Sequence, residues 1–215
     1  MDATDFGELR SMLHNALDSR RKREKLLALV LEHQRASPET FQQLWLPYLE
    51  GQRIALDEPF GTTTSLEDAE VLAALLPGAK FRLSLGHMEE DAFDAKQLAG
   101  DARLQHISGL IFDGIPLQED DLEVILESPH LHTLVELDLG NTRIGSLEPL
   151  FRSDKSRSLR ILDLQRNVGP NFDLTRFAEN FPNLRTLDLS NCYFPKEWAR
   201  EQLSKLTNLE HLYLD

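Results

Sequence analysis

The chain has 215 residues, a formal charge of −13, 41% apolar residues and 27% charged ones. That composition belongs to a folded chain rather than a disordered one, and the acidic balance excludes non-specific neutralisation of nucleic-acid phosphates by the chain as a whole. No apolar run approaches the roughly 20 residues that span a bilayer, and the start Met1-Asp-Ala-Thr-Asp-Phe has neither the basic nor the apolar stretch of a secretory signal. Cys192 is the single cysteine, so no intramolecular disulfide forms. A reducing, cytoplasmic setting is expected, with partners that are neither nucleic acid nor membrane.

Residues 1–50 read as helical. Phe6, Leu9, Leu13, Ala16 and Leu17 recur at helical spacing, as do Leu26, Leu27, Val30 and Leu31. A third helix is expected from Ser37-Pro38-Glu39, with Ser37 as N-cap and Pro38 at the first helical position. It presents Phe41, Leu44, Trp45 and Leu49 and ends at Gly51. Between the first two helices, Arg20-Arg21-Lys22-Arg23-Glu24-Lys25 holds five basic residues in six. Without interleaved aromatic residues it reads as a solvated helix start rather than a nucleic-acid or membrane contact.

Residues 51–215 carry 16 basic and 28 acidic side chains against 7 and 8 in residues 1–50, so nearly all the excess charge lies in the later part. That part repeats. Leu134-x-x-Leu137-x-Leu139 returns at Leu159, Leu184 and Leu209, each copy beginning 25 residues after the last. Ile107-x-x-Leu110-x-Phe112 precedes them, and Ile54 with Leu56 and Leu83 with Leu85 alternate like short strands. The fourth positions, Ile54, Leu83, Leu110, Leu137, Leu162, Leu187 and Leu212, lie 29, 27, 27, 25, 25 and 25 residues apart. Between these strands the apolar spacing turns helical at Leu66, Val71, Leu72 and Leu75, at Leu122, Ile125 and Leu126, at Leu174 and Phe177, and at Trp198, Leu203 and Leu206. Thr64-Ser65 and Pro195-Lys196-Glu197 mark helix starts, and Leu147–Arg157 reads as a shorter helical turn.

A fixed period in this range, with that leucine spacing, resembles the leucine-rich repeat; the helix-bearing repeats are similar to the ribonuclease-inhibitor type. The resemblance implies an α/β solenoid with a curved parallel β-sheet on the concave side and helices on the convex side. Residues 51–215 supply about six to seven strands, the last repeat being incomplete, and residues 1–50 form an all-α cap over the first repeat. Positions 1, 4 and 6 point inward. Position 9, occupied by Thr142, Asn167 and Cys192, satisfies backbone groups between coils. Position 11 returns Ile144 or Phe194, whereas Gly169 breaks the pattern in Val168-Gly169-Pro170.

Strand side chains alternate, so positions 3 and 5 face the concave surface. The candidate partner-binding residues there are Glu136, Asp138, Ile161, Asp163, Thr186, Asp188, His211 and Tyr213, extended at position 7 by Asp57, Asp113, Gln165 and Ser190. The aspartates make an acidic stripe suited to a basic protein or peptide. A metal site is not expected, because parallel strands set equivalent carboxylates in line rather than around a point. His130-x-His132 lacks a third ligand by spacing. Cys192 at position 9 reads as a small buried residue rather than a nucleophile. No phosphate loop or nucleophile elbow is present, and no cofactor is called for.

The expected function is therefore a non-enzymatic protein-interaction module. The alternative is a regulatory or targeting segment of a larger enzyme or effector whose catalytic domain lies beyond residue 215; resemblance alone also admits regulation of a small GTPase. The last copy stops one residue past its strand, which predicts either a continuing chain or self-association through an exposed edge.

Overall fold

The computed structural model describes residues 20–45, 59–76, 78–86, 88, 92–167, 176–192 and 201–214. Calls that rest on the helix of Phe6 to Leu17, on Ile54, Leu56 and Asp57, on Gly169, or on Leu174 and Pro195–Trp198 lie outside these residues.

Seven strands form one sheet in sequence order, and every neighbouring pair is parallel. They are β1 (Thr62–Thr63), β2 (Phe81–Ser84), β3 (Ile107–Ile111), β4 (Glu136–Asp138), β5 (Ile161–Asp163), β6 (Thr186–Asp188) and β7 (His211–Tyr213). Parallel neighbours need a crossover between them. Helices α3 (Leu66–Leu75), α4 (Ala95–Gly100), α5 (Glu119–Glu127), α6 (Glu148–Arg152) and α7 (Phe177–Asn180) supply most of these crossovers. Ser65 caps α3 as its spacing predicts, its hydroxyl accepting from Asp68 N–H at 3.1 Å. The short α6 and the following 3-10 turn Asp154–Ser158 occupy the stretch read as a weak helix.

The register explains the leucine pattern. Leu83, Leu110, Leu137, Leu162, Leu187 and Leu212 are successive partners across the sheet. Leu110, Leu137, Leu162 and Leu187 are fully buried, and so are Leu139 and Leu164 at position 6. Each such side chain contributes about 1.5–3 kcal/mol by leaving water. Stacking like on like gives every interior coil the same neighbours, so one short motif suffices for all of them. Leu212 in β7 and Leu214 just after it hold the same positions but are 39% and 47% exposed, with no coil beyond them among the described residues. Phenylalanines fill the space between sheet and helices: Phe177 and Phe181 lie 4.6 Å apart between ring centroids, and Phe151 and Phe181 lie 6.0 Å apart.

The first strand corrects the expected register. Thr63, not Ile54, is the partner of Leu83. Thr63 is buried, and its hydroxyl donates to Ser65 O at 3.0 Å, so a polar side chain takes an inward position without an unpaired group. The outer edge of β1 is met by α1 (Arg20–Ala36). Glu24 accepts from Thr62 N–H at 3.1 Å and from its hydroxyl at 2.9 Å, and Arg23 Nε donates to Phe60 O at 2.7 Å. These contacts occupy a backbone donor and a backbone acceptor that an edge otherwise exposes. Leu26, Leu27, Val30 and Phe41 join the same core as Phe60, Leu72 and Leu75. The basic run is thus split. Arg20, Arg21, Lys22 and Lys25 are exposed, as expected of a solvated helix face, but Arg23 is only 3% exposed and is part of the packing. Ser37 stands at the N-cap of α2 (Pro38–Thr40) with Pro38 in its first turn, and the helix continues as a π-helical turn, Phe41–Trp45.

Candidate functional site

The face of the sheet opposite the core is built from two rows. Register pairing places Gly109, Glu136, Ile161, Thr186 and His211 in line at position 3, and Ile111, Asp138, Asp163, Asp188 and Tyr213 in line at position 5. Strand spacing sets neighbours in a row about 4.8 Å apart. Asp138, Ile161, Asp163, Thr186 and Asp188 are half-buried, and His211 and Tyr213 are exposed. Seven of the eight candidate residues are therefore accessible on one surface.

Glu136 departs from that set. It is 6% exposed and ion-paired with Arg82, which is 1% exposed; Arg82 Nε donates to its carboxylate. The two residues lie on β2 and β4, so the arginine crosses the intervening strand at Gly109. A Cβ on Gly109 would stand 2.8 Å from Arg82 Cγ and 3.4 Å from Glu136 Cβ. Glycine is required there because the side chain of a neighbouring strand occupies its place. Glu136 is thus a structural counter-ion rather than an open contact. The strand glycine was the one sequence signal that could have flagged this; nothing in the spacing links Arg82 to Glu136.

The aspartate row has a structural task of its own. Asp138 accepts from Gly140 N–H, Asp163 from Gln165 N–H and Asp188 from Ser190 N–H, each at 2.8 Å. Each carboxylate thereby closes an Asx-type turn at the point where the chain leaves its strand. One residue after each of these turn donors the backbone is left-handed: Asn141, Arg166 and Asn191, with Gly114 at the same position 8, have φ of 54°, 56°, 57° and 82°. Glycine and asparagine tolerate that region best, and three of the four positions use them. Gly114, Asn141 and Asn191 were a legible signal that the leucine pattern obscured.

The turns crowd like charges together. Burial, then the neighbouring carboxylates of Asp138, Asp188 and Asp113, push Asp163 up to about 7, although the bond from Gln165 N–H works in the opposite direction. Asp138 is raised for the same leading reason, with Asp113, Glu136 and Asp188 adding to it. Among the described residues the leading charges that act on Asp163 are the carboxylates of Asp138, Asp188 and Asp113.

Beneath the row, position 9 binds the coils to one another. Asn167 is fully buried; its Nδ2 donates to Leu139 O at 2.6 Å and Leu164 O at 3.0 Å, and its Oδ1 accepts from Ile144 N–H at 3.2 Å. Thr142 donates to Leu139 O at 2.7 Å. Cys192 is half-buried rather than buried, and its thiol donates to Leu164 O at 2.9 Å. Desolvation pushes that thiol above its ordinary value, which holds it protonated and poorly nucleophilic at neutral pH.

Among the described residues no group of three or more His, Cys, Asp and Glu side chains is placed to hold a metal ion. His130 lies in the loop before β4, its backbone N–H donating to the Ser128 hydroxyl at 3.2 Å. A recess of about 300 Å³ between α3 and α4 is lined in part by Leu83, Leu85, Phe93 and Leu98. The charges beside it are paired: Arg103 contacts Glu67 at 2.6 Å and Asp101 at 2.6 Å. No helix among the described residues is long and apolar enough to cross a membrane.

The family model described as Leucine Rich Repeat matches residues 183–206. No curated protein matches the sequence. Among solved structures the chain is similar to an internalin (inlF) from Listeria monocytogenes str. 4b F2365, at 19% identity over 73% of this chain and 46% of that one, with a TM-score of 0.47. The chain thus spans less than half the length of that internalin.

Proposed function

We propose that this leucine-rich repeat chain is a non-enzymatic interaction module, and that the open, concave face of its sheet binds a protein or peptide segment carrying basic side chains. The observation behind this reading is the aligned row Asp138, Asp163 and Asp188, in which the leading charges acting on Asp163 among the described residues are carboxylates. An incoming cation relieves that repulsion, which a solvated surface carboxylate does not offer. Ile161, Thr186, His211 and Tyr213 border the row and add contact area that is apolar, hydrogen-bonding or aromatic. Each strand from β3 to β7 is hydrogen-bonded to its neighbours, which favours binding with little ordering of the backbone.

In the same reading, residues 1–50 cap the array and residues 51–215 carry the repeats. The placement of Leu26, Leu27, Val30 and Phe41 in the repeat core supports that division. A lone cysteine is compatible with a cytoplasmic setting. The test begins with affinity capture using the intact protein and identification of the bound partner by mass spectrometry. Its affinity is then measured for the parent and for Asp138→Asn, Asp163→Asn and Asp188→Asn combined, over a range of salt. The parent should bind more tightly and lose more affinity with salt. Equal affinity and equal salt dependence would sink the reading.

A further inference from the structure

The first two coils cross from sheet to helix over unequal lengths. Two residues, Thr64 and Ser65, separate β1 from α3, whereas ten residues, 85–94, separate β2 from α4. With Thr63 opposite Leu83, Ser65 stands at position 6 of the first coil, and its position 9 already lies inside α3. Leu85 and Met88, at the same two positions of the second coil, therefore find no apolar residue to stack on in the first. Coils close on one another by stacking like on like. Where these two crossovers fail to match, they leave the recess of about 300 Å³ between α3 and α4.

The floor of the recess is core. Leu83, Leu85 and Leu98 line it and are 1%, 6% and 8% exposed, with Met88 and Phe93 half-buried beside them. Phe93 is braced edge-on against Phe112, ring centroids 5.7 Å apart, so one wall is fixed. The unbranched Met88 adapts to the shape of what enters. The rim is acidic: Glu67, Asp94 and Asp101 line it, and Arg103 is the one cation among the described residues that do so. Arg103 Nε and Nη2 close on the two oxygens of Asp101 at 2.9 and 2.6 Å, and Nη1 donates to Glu67 at 2.6 Å. The fork that clamps an anion is thus already taken, and its bonds hold Asp101 below the ordinary carboxylate value, so that it stays charged. Asp94 is held on one side only. Its Oδ1 accepts from Lys96 N–H at 2.9 Å and Gln97 N–H at 3.0 Å, and its other oxygen has no partner among the described residues. Three carboxylates against one guanidinium leave the lining two net negative charges.

We propose that this recess binds a small organic monocation with a ring-sized apolar body, the body lying on the leucine floor and the ammonium group at the carboxylate rim. The volume stands at the lower bound of the about 300–1,000 Å³ typical of small-molecule sites, which suits one aromatic ring with a short tail. The floor supplies affinity, because apolar area leaves water on both sides of the contact. The rim supplies the choice of sign. An anion of the same shape meets net negative charge and a guanidinium already bound. A cation without the body gains only solvated carboxylates, which hold it weakly. The site lies apart from the aspartate row and requires nothing of the open-face reading.

The test is a methyl NMR titration of the intact protein with phenethylammonium, phenylacetate and ethylammonium, following Leu83, Leu85, Met88 and Leu98. Phenethylammonium should shift these signals saturably. Phenylacetate, with the same ring and the opposite charge, should bind about tenfold more weakly or less, and ethylammonium should leave the signals in place. Asp94→Asn keeps a good N-cap for α4 while removing one charge, and should weaken phenethylammonium by about fivefold. Ala92→Trp, at an exposed position of the lining, should abolish the shifts by filling the recess. If one variant fails to fold, the other and the three-ligand comparison carry the test. Phenylacetate binding as tightly, equal shifts from ethylammonium, unchanged affinity in Asp94→Asn, or unchanged shifts in Ala92→Trp overturns the proposal. Tighter binding of the acetylated amide Phe-Lys than of phenethylammonium overturns the free small molecule as occupant and assigns the recess to side chains of a partner.

Discussion

Asp163→Asn separates the two roles of the aspartate row. Asparagine keeps the Oδ1 that accepts from Gln165 N–H at 2.8 Å, and so preserves the turn, while it removes the charge. The second contact, Gln165 Nε2 to Oδ2 at 3.3 Å, survives by rotation of the glutamine amide. In the parent, Asp163 is pushed up to about 7 by burial and by neighbouring carboxylates. An aspartate in the unfolded chain titrates near about 4. Between those values the folded protein holds a proton that the unfolded chain has released. Unfolding then releases a proton, and stability falls as pH rises through the window. The gap corresponds to about 4 kcal/mol in full. Asp163 is half-buried and partly screened by water, which reduces the effect to about 1–2 kcal/mol. Urea unfolding followed by circular dichroism, from about pH 4 to about pH 8, measures it. Asp163→Asn and the parent should converge at the acidic end, and the variant should be more stable by that amount at the alkaline end. Parallel curves, or a variant less stable at the alkaline end, would refute the argument and make the charged turn favourable.

Three further substitutions test the scaffold. Glu136→Ala leaves Arg82 buried without its counter-ion and should cost about 3–5 kcal/mol in urea unfolding, whereas a surface role for Glu136 predicts almost no loss. Asn167→Ala strips donors from Leu139 O and Leu164 O and should cost about 2–4 kcal/mol; Asn167→Asp, which sets an oxygen against those carbonyls, should be no better, and a mild effect of either argues against the ladder. Arg166→Gly relieves a left-handed backbone with φ 56° at an exposed position and should raise stability by up to about 1 kcal/mol, read as an increase in Tm.

The interior was legible because it repeats. Leu137, Leu162 and Leu187 face the same environment in successive coils, so the sequence states one solution several times, and Thr142 and Asn167 likewise stand where buried backbone groups need partners. The ends were less legible because each of their contacts occurs once. Thr63 occupies an inward position without being apolar, since its hydroxyl closes on Ser65 O, and a search for alternating apolar residues passes over it toward Ile54. Arg82 and Glu136 meet across a third strand at Gly109, and no local pattern encodes a pairing between residues 54 positions apart. The acidic row was visible as a row, but the hydrogen bonds that give it a structural purpose run from carboxylate to backbone and leave the residue type as their only trace.

Five side-chain bonds between coils run in one direction. Ser158 donates to Leu134 O, Asn167 to Leu139 O, Asn183 to Arg157 O, Cys192 to Leu164 O and Asn208 to Pro182 O. In each case the donor lies in the later coil and the carbonyl in the earlier one. A later coil therefore meets carbonyls already in place for these side-chain donors, whereas the buried Ile144 N–H depends on Asn167 Oδ1 of the coil that follows it. Backbone donors at the strand ends run the other way, Leu139 N–H to Asp163 O and Leu164 N–H to Asp188 O, so an interior coil is completed only by both of its neighbours, and excising one from the middle would strand unmatched groups on each side of the cut.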